Sequence, residues 1–286
     1  MTDTILRFIF DQTDIRGEWV QLERSYQDTL ATHHYPPGVR QLIGEFLAAV
    51  SLLGATLKID GAIILQARSQ GEIPLIMAEV NSRHELRAIV HGAEQAISNE
   101  FGILLRSGQL IITIDPVGKQ RYQGIVPLEG NSLAECLELY FRQSEQLPTR
   151  IWLAANAQRA AGLFLQELPS KADPEQRAEQ WRHLTTLATT VTAPELLELP
   201  AETLLHRLFH QEQLRLLGSD SLRFQCSCSQ ERTAAMLRIL GRAELEQILL
   251  EQGQIDVNCE FCNQHYAFAA TDVAGWFTPL AEPPHH

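Results

Sequence analysis

Four of the five cysteines in the chain fall into two tight clusters, Cys226 and Cys228 in CSCSQER, and Cys259 and Cys262 in VNCEFCNQHYAF. A Cys-x-Cys and a Cys-x-x-Cys about thirty residues apart make two thiolate claws. Four thiolates around one ion is the tetrahedral set that zinc prefers, with zinc to sulfur bonds of about 2.3 Å. The spacing therefore predicts one Zn2+ per chain on Cys226, Cys228, Cys259 and Cys262. The same sulfurs can do redox chemistry. A bound metal keeps them as thiolates, the form that oxidants attack, and Arg223, Arg232, Arg238 and Arg242 lie close enough in sequence to supply a positive field. A disulfide within Cys226-x-Cys228 would close a small strained ring, and strained bridges are the labile, regulatory kind. Structural zinc contributes on the order of 10 to 16 kcal/mol in small zinc peptides at neutral pH, so oxidation is expected to unfold the module. The plainer reading is an inert zinc staple in a module that docks protein or nucleic acid.

Other reactive residues are weaker candidates. Cys136 shares an apolar helical stripe with Leu133, Leu137 and Tyr140, which suits a small hydrophobe better than a nucleophile. His33 and His34 precede a Pro-Pro turn, and His206 and His210 have the i, i+4 spacing of a ligand pair without an acidic partner at a metalloprotease position. His265 is an alternative ligand beside the second claw, but four cysteines already close the site. His285 and His286 read as a tail. No Ser/His/Asp set, paired-carboxylate site or phosphate-binding loop is present, so no catalytic residue is assigned and the protein is not expected to be an enzyme.

The claws need elements to hold them. Alternation at Ile255, Val257 and Cys259, and again at Tyr266 and Phe268, makes CEFCNQ the turn of a hairpin. Between the claws, Met236, Leu237 and Leu240, then Leu245, Ile248 and Leu249, predict two short helices broken at Gly241 and ended at Gly253. A C-terminal segment of 226–286 with few large hydrophobes is too small to hold itself by burial, and the metal supplies the staple. Upstream, residues 1–170 interleave strands (ILRFIF, IRGEWVQL, AIILQA, PLIMAEV, LIITID) with an apolar helix starting near Pro36 and Pro37 and a second helix around Leu133. Without a regular βαβ repeat, this predicts an α+β domain rather than a doubly wound sheet. Residues 171–225 read as a helical linker. Asp173-Pro174 starts its first helix, Trp181, Leu184 and Leu187 form the expected buried stripe, and five threonines crowd positions 185 to 192. Each helical Thr costs about 0.5 kcal/mol relative to Ala, so the helix is expected to survive mainly by docking.

Composition bounds the partners. A chain of 286 residues, 45% hydrophobic and 20% charged, carries a packed core. Its formal net charge of −12 disfavours a nucleic-acid partner, because phosphate binding is driven by Lys and Arg. No secretory signal and no uninterrupted apolar run of membrane length appear, so a cytoplasmic protein without a membrane partner is expected. In a reducing compartment, clustered cysteines favour metal or redox roles over structural disulfides.

Taken together, CSCSQER, CEFCNQHYAF, RYQGIVPLEG, YFRQSEQLPTR and LKIDGAIILQ resemble the heat-shock chaperones of about thirty-three kilodaltons, the redox-regulated holdases. The resemblance spans nearly the whole chain. It implies zinc on the four cysteines in the reduced form, and under oxidant a Cys226–Cys228 and a Cys259–Cys262 disulfide with loss of the metal. It further implies an unfolding linker, exposed apolar surface that holds unfolding client proteins without ATP, and a homodimer when active. TTLATTVT occupies the place of that linker, which makes Trp181, Thr185, Thr186, Thr189 and Thr190 the candidate switch residues. Two alternatives compete. A thiol-disulfide oxidoreductase would use Cys259 and Cys262, but a redox CxxC usually opens a helix after a strand. A zinc-ribbon docking protein would need a basic face to bind nucleic acid.

Overall fold

The computed structural model describes residues 3–56 and 60–277, and His285 and His286 lie outside them. The chain divides between Gln225 and Cys226 into two compact units.

The first unit contains, in order, β1 (Thr4–Phe10), β2 (Ile15–Leu22), α1 (Arg24–Leu30), α2 (Pro37–Thr56), β3 (Gly61–Arg68), β4 (Leu75–Asn81), β5 (Glu85–His91), α3 (Phe101–Leu104), β6 (Gln109–Pro116), β7 (Tyr122–Pro127), α4 (Leu133–Tyr140), β8 (Thr149–Ala155) and β9 (Ala160–Glu167). After these come α5 (Pro174–Ala188), α6 (Ala193–Glu198), α7 (Ala201–Phe209), β10 (Leu214–Ser221) and β11 (Arg223–Phe224). A five-stranded antiparallel sheet runs β10-β1-β2-β9-β8, and a six-stranded sheet runs β11-β5-β4-β3-β6-β7. Both sheets press on α2. That is why the helix is apolar on almost every side, and why Val39, Ile43, Phe46, Leu47 and Val50 are all buried. By length and composition α2 could cross a membrane, but here its side chains fill the space between two sheets. Gly44 permits the approach: a Cβ there would sit 2.6 Å from the Ala155 Cβ.

The other face of the five-stranded sheet carries a second core. Phe8, Phe10, Ile15, Trp19, Leu163 and Leu165 point away from α2 and are covered by Leu184 and Ala188 of α5, Leu196 and Leu197 of α6, and Leu204, Leu205, Leu208 and Phe209 of α7. Phe8 lies over Gly17 of the neighbouring strand, where any side chain would displace its ring. The helices of 171–225 are thus a lid on a hydrophobic sheet face, as expected of segments that fold by docking. They are tied down by the Arg177–Glu167 ion pair at 2.6 Å and by the Gln21 side chain, which donates to the Leu197 carbonyl at 2.7 Å.

Three local expectations need correction. Residues 171–225 are helical only as far as Phe209, because Leu214–Ser221 pairs with β1 and closes the edge of the five-stranded sheet. Trp181 is half-buried, while Leu184 and Ala188 fill the buried stripe. Of the four threonines expected as switch residues, only Thr185 and Thr186 lie inside α5. Thr189 is its C-cap, and Thr190 lies beyond it with its hydroxyl donated to the Leu187 carbonyl at 2.8 Å.

One buried carboxyl makes this unit sensitive to pH. Glu18 on β2 is 2% exposed, and its Oε2 has no hydrogen-bond partner. Burial pushes its pKa up to about 7, although Arg16 and Arg7 pull the other way. A folded-state pKa above the unfolded one means that the folded protein holds the extra proton, so stability falls as pH rises from about 4.5 to about 7. At about 1.4 kcal/mol per pH unit, this amounts to about 3 kcal/mol. Glu18→Gln is expected to flatten that slope and to stabilise the protein at pH 8, as read by urea unfolding at pH 5 and 8. An unchanged slope would show that the carboxyl is not the titrating group.

The second unit contains α8 (Gln230–Arg238), α9 (Arg242–Gln252), the hairpin strands β12 (Ile255–Asn258) and β13 (His265–Phe268), and α10 (Ala270–Trp276). Its core is small: Ala234, Leu237, Leu245, Ile255, Phe268 and Val273 are buried. The helix break and stop fall at Gly241 and Gly253, with φ of +87° and +83°, where glycine avoids the cost of a left-handed backbone.

Candidate metal and redox centre

The two claws are built by different local rules. Ser229 caps α8, its hydroxyl accepting from the Arg232 amide at 3.2 Å, so Cys226 and Cys228 sit on the extended segment that enters the helix. Arg232 also donates to the Ser227 carbonyl at 2.8 Å and braces the segment between the two sulfurs. Cys259 and Cys262 sit at the hairpin tip. The Cys259 amide donates to the Gln264 carbonyl at 2.9 Å, the Asn263 amide returns to the Cys259 carbonyl at 2.7 Å, and Asn263 takes φ of +57°. The 259–264 turn is the one the strand alternation predicts.

The claws meet. Cys226 Sγ lies 3.6 Å from Cys259 Sγ, Cys228 Sγ lies 3.4 Å from Cys262 Sγ, and all four sulfurs are within 4.8 Å of one another. The edge of a tetrahedron with bonds of about 2.3 Å is about 3.8 Å, so the donor set has the size and chemistry of a closed four-thiolate zinc site. The four cysteines are half-buried, which leaves room for an oxidant to arrive. Burial raises the Cys226 and Cys262 thiol pKa values, and a cation among the sulfurs reverses that sign by favouring thiolate. Cys228 differs from them. Burial raises its pKa, but the Tyr266 hydroxyl at 3.1 Å and the neighbouring sulfurs together bring it below the ordinary value.

Other candidates are not drawn in. His265 Nε2 lies 2.8 Å from Asp256 Oδ1, and the residue is not among the clustered ligands. The His206 and His210 rings are 6.0 Å apart, and neither belongs to the ligand cluster found among the described residues. Cys136 is fully buried on α4, where burial pushes its thiol pKa up, the condition of an inert sulfur. Of the four arginines expected to supply a positive field, Arg232 lies against the Cys226–Cys228 segment, and the other three face other groups. Arg223 pairs with Glu85 at 2.7 Å, Arg242 pairs with Glu246 at 2.7 Å, and Arg238 lies over the Trp276 ring at 5.5 Å. Sequence neighbours of the claws found partners of their own. Tyr266, whose hydroxyl reaches a ligand sulfur, carried no such signal in the sequence, because it is separated from Cys228 by 38 positions.

Comparison with known proteins places this arrangement. A family model described as Hsp33 protein matches residues 3–269. The chain is 54% identical over 281 residues to the 33 kDa chaperonin of Pseudomonas aeruginosa, spanning 96% of this chain and 95% of that one. It is 53% identical over 280 residues to the 33 kDa chaperonin of Azotobacter vinelandii, spanning 96% and 94%. The crystal structure of the 33 kDa chaperonin from Thermotoga maritima superposes with a TM-score of 0.83 over 96% of this chain and 97% of that one, and at 20% identity the likeness speaks for the fold. With a family match over nearly its full length and relatives at more than half identity behind it, the chain belongs to the Hsp33 family.

Proposed function

We propose that the protein is a redox-regulated, ATP-independent holdase of the cytoplasm, which binds unfolding client proteins under oxidative stress and is neither an enzyme nor a partner of nucleic acid or membrane. The observation that carries this reading is the convergence of four half-buried sulfurs in a unit whose own apolar core is only a handful of side chains. A metal that such a unit depends on, held by residues that oxidants can reach, is a switch rather than an inert staple. When bound, zinc supplies the charge that keeps the sulfurs as thiolates and ties one claw to the other.

On oxidation, the Cys226–Cys228 and Cys259–Cys262 pairs each give two electrons to one peroxide. Each step forms one sulfur–sulfur bond, takes up two protons and yields two waters, and the paired sulfurs no longer serve as ligands. The consequence passes along the chain, since Cys226 directly follows Gln225, whose amide donates to the Leu86 carbonyl at 3.0 Å beside β11. Loss of order there loosens the α5–α7 lid. The sheet face of Phe8, Phe10, Trp19, Leu163 and Leu165 then becomes the apolar surface offered to clients, and the active form is a homodimer. An oxidoreductase is less well supported, because its CxxC would open a helix whereas Cys259 and Cys262 cap a hairpin.

Peroxide treatment of the reduced, zinc-loaded protein is expected to release one zinc per chain, produce the two local disulfides in peptide maps, and switch on suppression of client aggregation in parallel. Equal activity before and after oxidation would reduce the site to a plain staple. Catalytic turnover of a dithiol substrate would favour the oxidoreductase.

A further inference from the structure

Tyr266 lies on β13 opposite Val257, and its ring packs on the small core of the second unit. Its hydroxyl crosses from the hairpin claw to the other claw and donates to Cys228 Sγ at 3.1 Å. The contacts that orient two of the other sulfurs are of another kind: the Cys228 amide faces Cys226 and the Gln264 amide faces Cys262, both fixed by the backbone that builds the claws. The Tyr266 bond is different, since it can be deleted without altering the chain path.

We propose that the Tyr266 hydroxyl is a positioning residue that acts as a brake on oxidation of the cluster, which rests on the zinc and redox reading above. A thiolate attacks peroxide through a sulfur lone pair. The pair engaged by O–H is lowered in energy, and that bond must weaken before the sulfur can attack, so a hydrogen-bonded thiolate is the slower nucleophile. Attack by Cys228 on peroxide would displace hydroxide and form a sulfenic acid, which the neighbouring thiolate then converts to a disulfide with loss of a second hydroxide. The hydroxyl opposes only the first of these steps. It sets how much oxidant the protein tolerates before responding, without contributing a ligand to the metal.

The test separates reactivity from architecture. Tyr266→Phe keeps the ring and its packing and removes only the donor. In the reduced, zinc-loaded variant, peroxide-driven zinc release and Cys228 modification, followed by mass mapping, are expected to run about tenfold faster than in wild type, the effect of one hydrogen bond to a charged acceptor. Zinc transfer to a competing chelator without oxidant is expected to change by less than about twofold, since no ligand is lost. Site-specific 3-fluorotyrosine at position 266, a stronger donor, should slow peroxide-driven release below the wild-type rate. It tests the same bond should the Phe variant load zinc poorly. Equal acceleration of chelator and peroxide reactions would make Tyr266 a structural prop and overturn the proposal, as would peroxide rates unmoved by either replacement. A wild-type protein that holds no zinc would instead overturn the reading on which the proposal rests.

Discussion

Cys262→Ser, purified under reducing conditions, is expected to carry no zinc and to lose the folded state of the second unit, while the two sheets and α2 of the first unit remain folded and its α5–α7 lid loosens. Among the described residues, the six buried apolar side chains of the second unit's core include a single aromatic, Phe268, and much of what surrounds them is half exposed. Segments of this size with so little buried surface need a staple. Structural zinc contributes on the order of 10 to 16 kcal/mol in comparable peptides, far more than such a core can replace. A serine hydroxyl at the hairpin tip is not ionised at neutral pH and cannot complete a four-thiolate set. Calorimetry of wild type should therefore show the second unit's transition only when metal is present, and the Cys262→Ser trace should lack it. Cys136→Ser is the contrast: it should load zinc normally and show only a modest loss of stability in the first unit, where a buried hydroxyl replaces a thiol that is 0% exposed. A zinc-free Cys136 variant, or a fully loaded Cys262 variant, would mean that the metal sits elsewhere.

The claws could be read from the sequence because a metal site states its geometry in short spacings, and the 259–264 turn followed from alternation at Ile255, Val257, Tyr266 and Phe268. Other features had no local signature. β9 is buried along its whole length, sandwiched between α2 and the α5–α7 lid, so its residues show no period of two. β10 is the opposite case. LRLLGSDS buries no side chain fully and exists because β1 offers it a row of backbone partners, with a register shift at Arg7/Phe8. The end of α5 was hidden for a different reason: no glycine or proline marks it, and threonines run on through its last turn and past it. Tyr266 and the partners of the arginines depend on contacts between distant positions, which spacing does not encode.

Under the proposed mechanism, the balance of the switch would lie in the lid rather than at the sulfurs. The helices α5–α7 bury Leu184, Ala188, Leu196, Leu197, Leu204, Leu205, Leu208 and Phe209 against the sheet, yet much of α5 is polar and exposed. Isolated helices of this length are marginal, so docking decides whether they form. On the proposed reading, such a lid over a hydrophobic face would be a two-state element that loss of the metal could bias by a modest free energy. The polar ties work in the same direction, since Arg177 and Gln21 hold two different helices to the strands beneath.

Phe209→Ala is expected to free that face without oxidation. Phe209 ends α7 and is 2% exposed, with its ring 4.9 Å from Phe10 in an edge-to-face contact and 6.4 Å from Phe8. Removing a buried Phe side chain typically costs about 3 to 5 kcal/mol, here taken from the docked state of the lid. The variant should suppress client aggregation in reducing buffer with its zinc in place, and proteases should cut within 171–213. Trp181→Ala should do the same more weakly, because Trp181 is only half-buried. The opposite change is Thr185→Ala with Thr186→Ala. Both residues lie inside α5, and their hydroxyls return to the Trp181 and Arg182 carbonyls at 2.7 and 2.6 Å, bonds a helix does not need. A gain of about 0.5 kcal/mol at each, about 1 kcal/mol together, shifts opening roughly fivefold toward closed and should make the oxidised protein a weaker holdase. Thr189 and Thr190 are left alone, since they lie at and beyond the end of the helix, where alanine's helix propensity gains little. Leu184→Ala, confined to α5, repeats the experiment if Phe209→Ala disturbs the sheet itself. Should both core variants stay silent under reduction with an uncut lid, while the double alanine activates like wild type, then the α5–α7 segment is a passive cover and the client surface lies elsewhere.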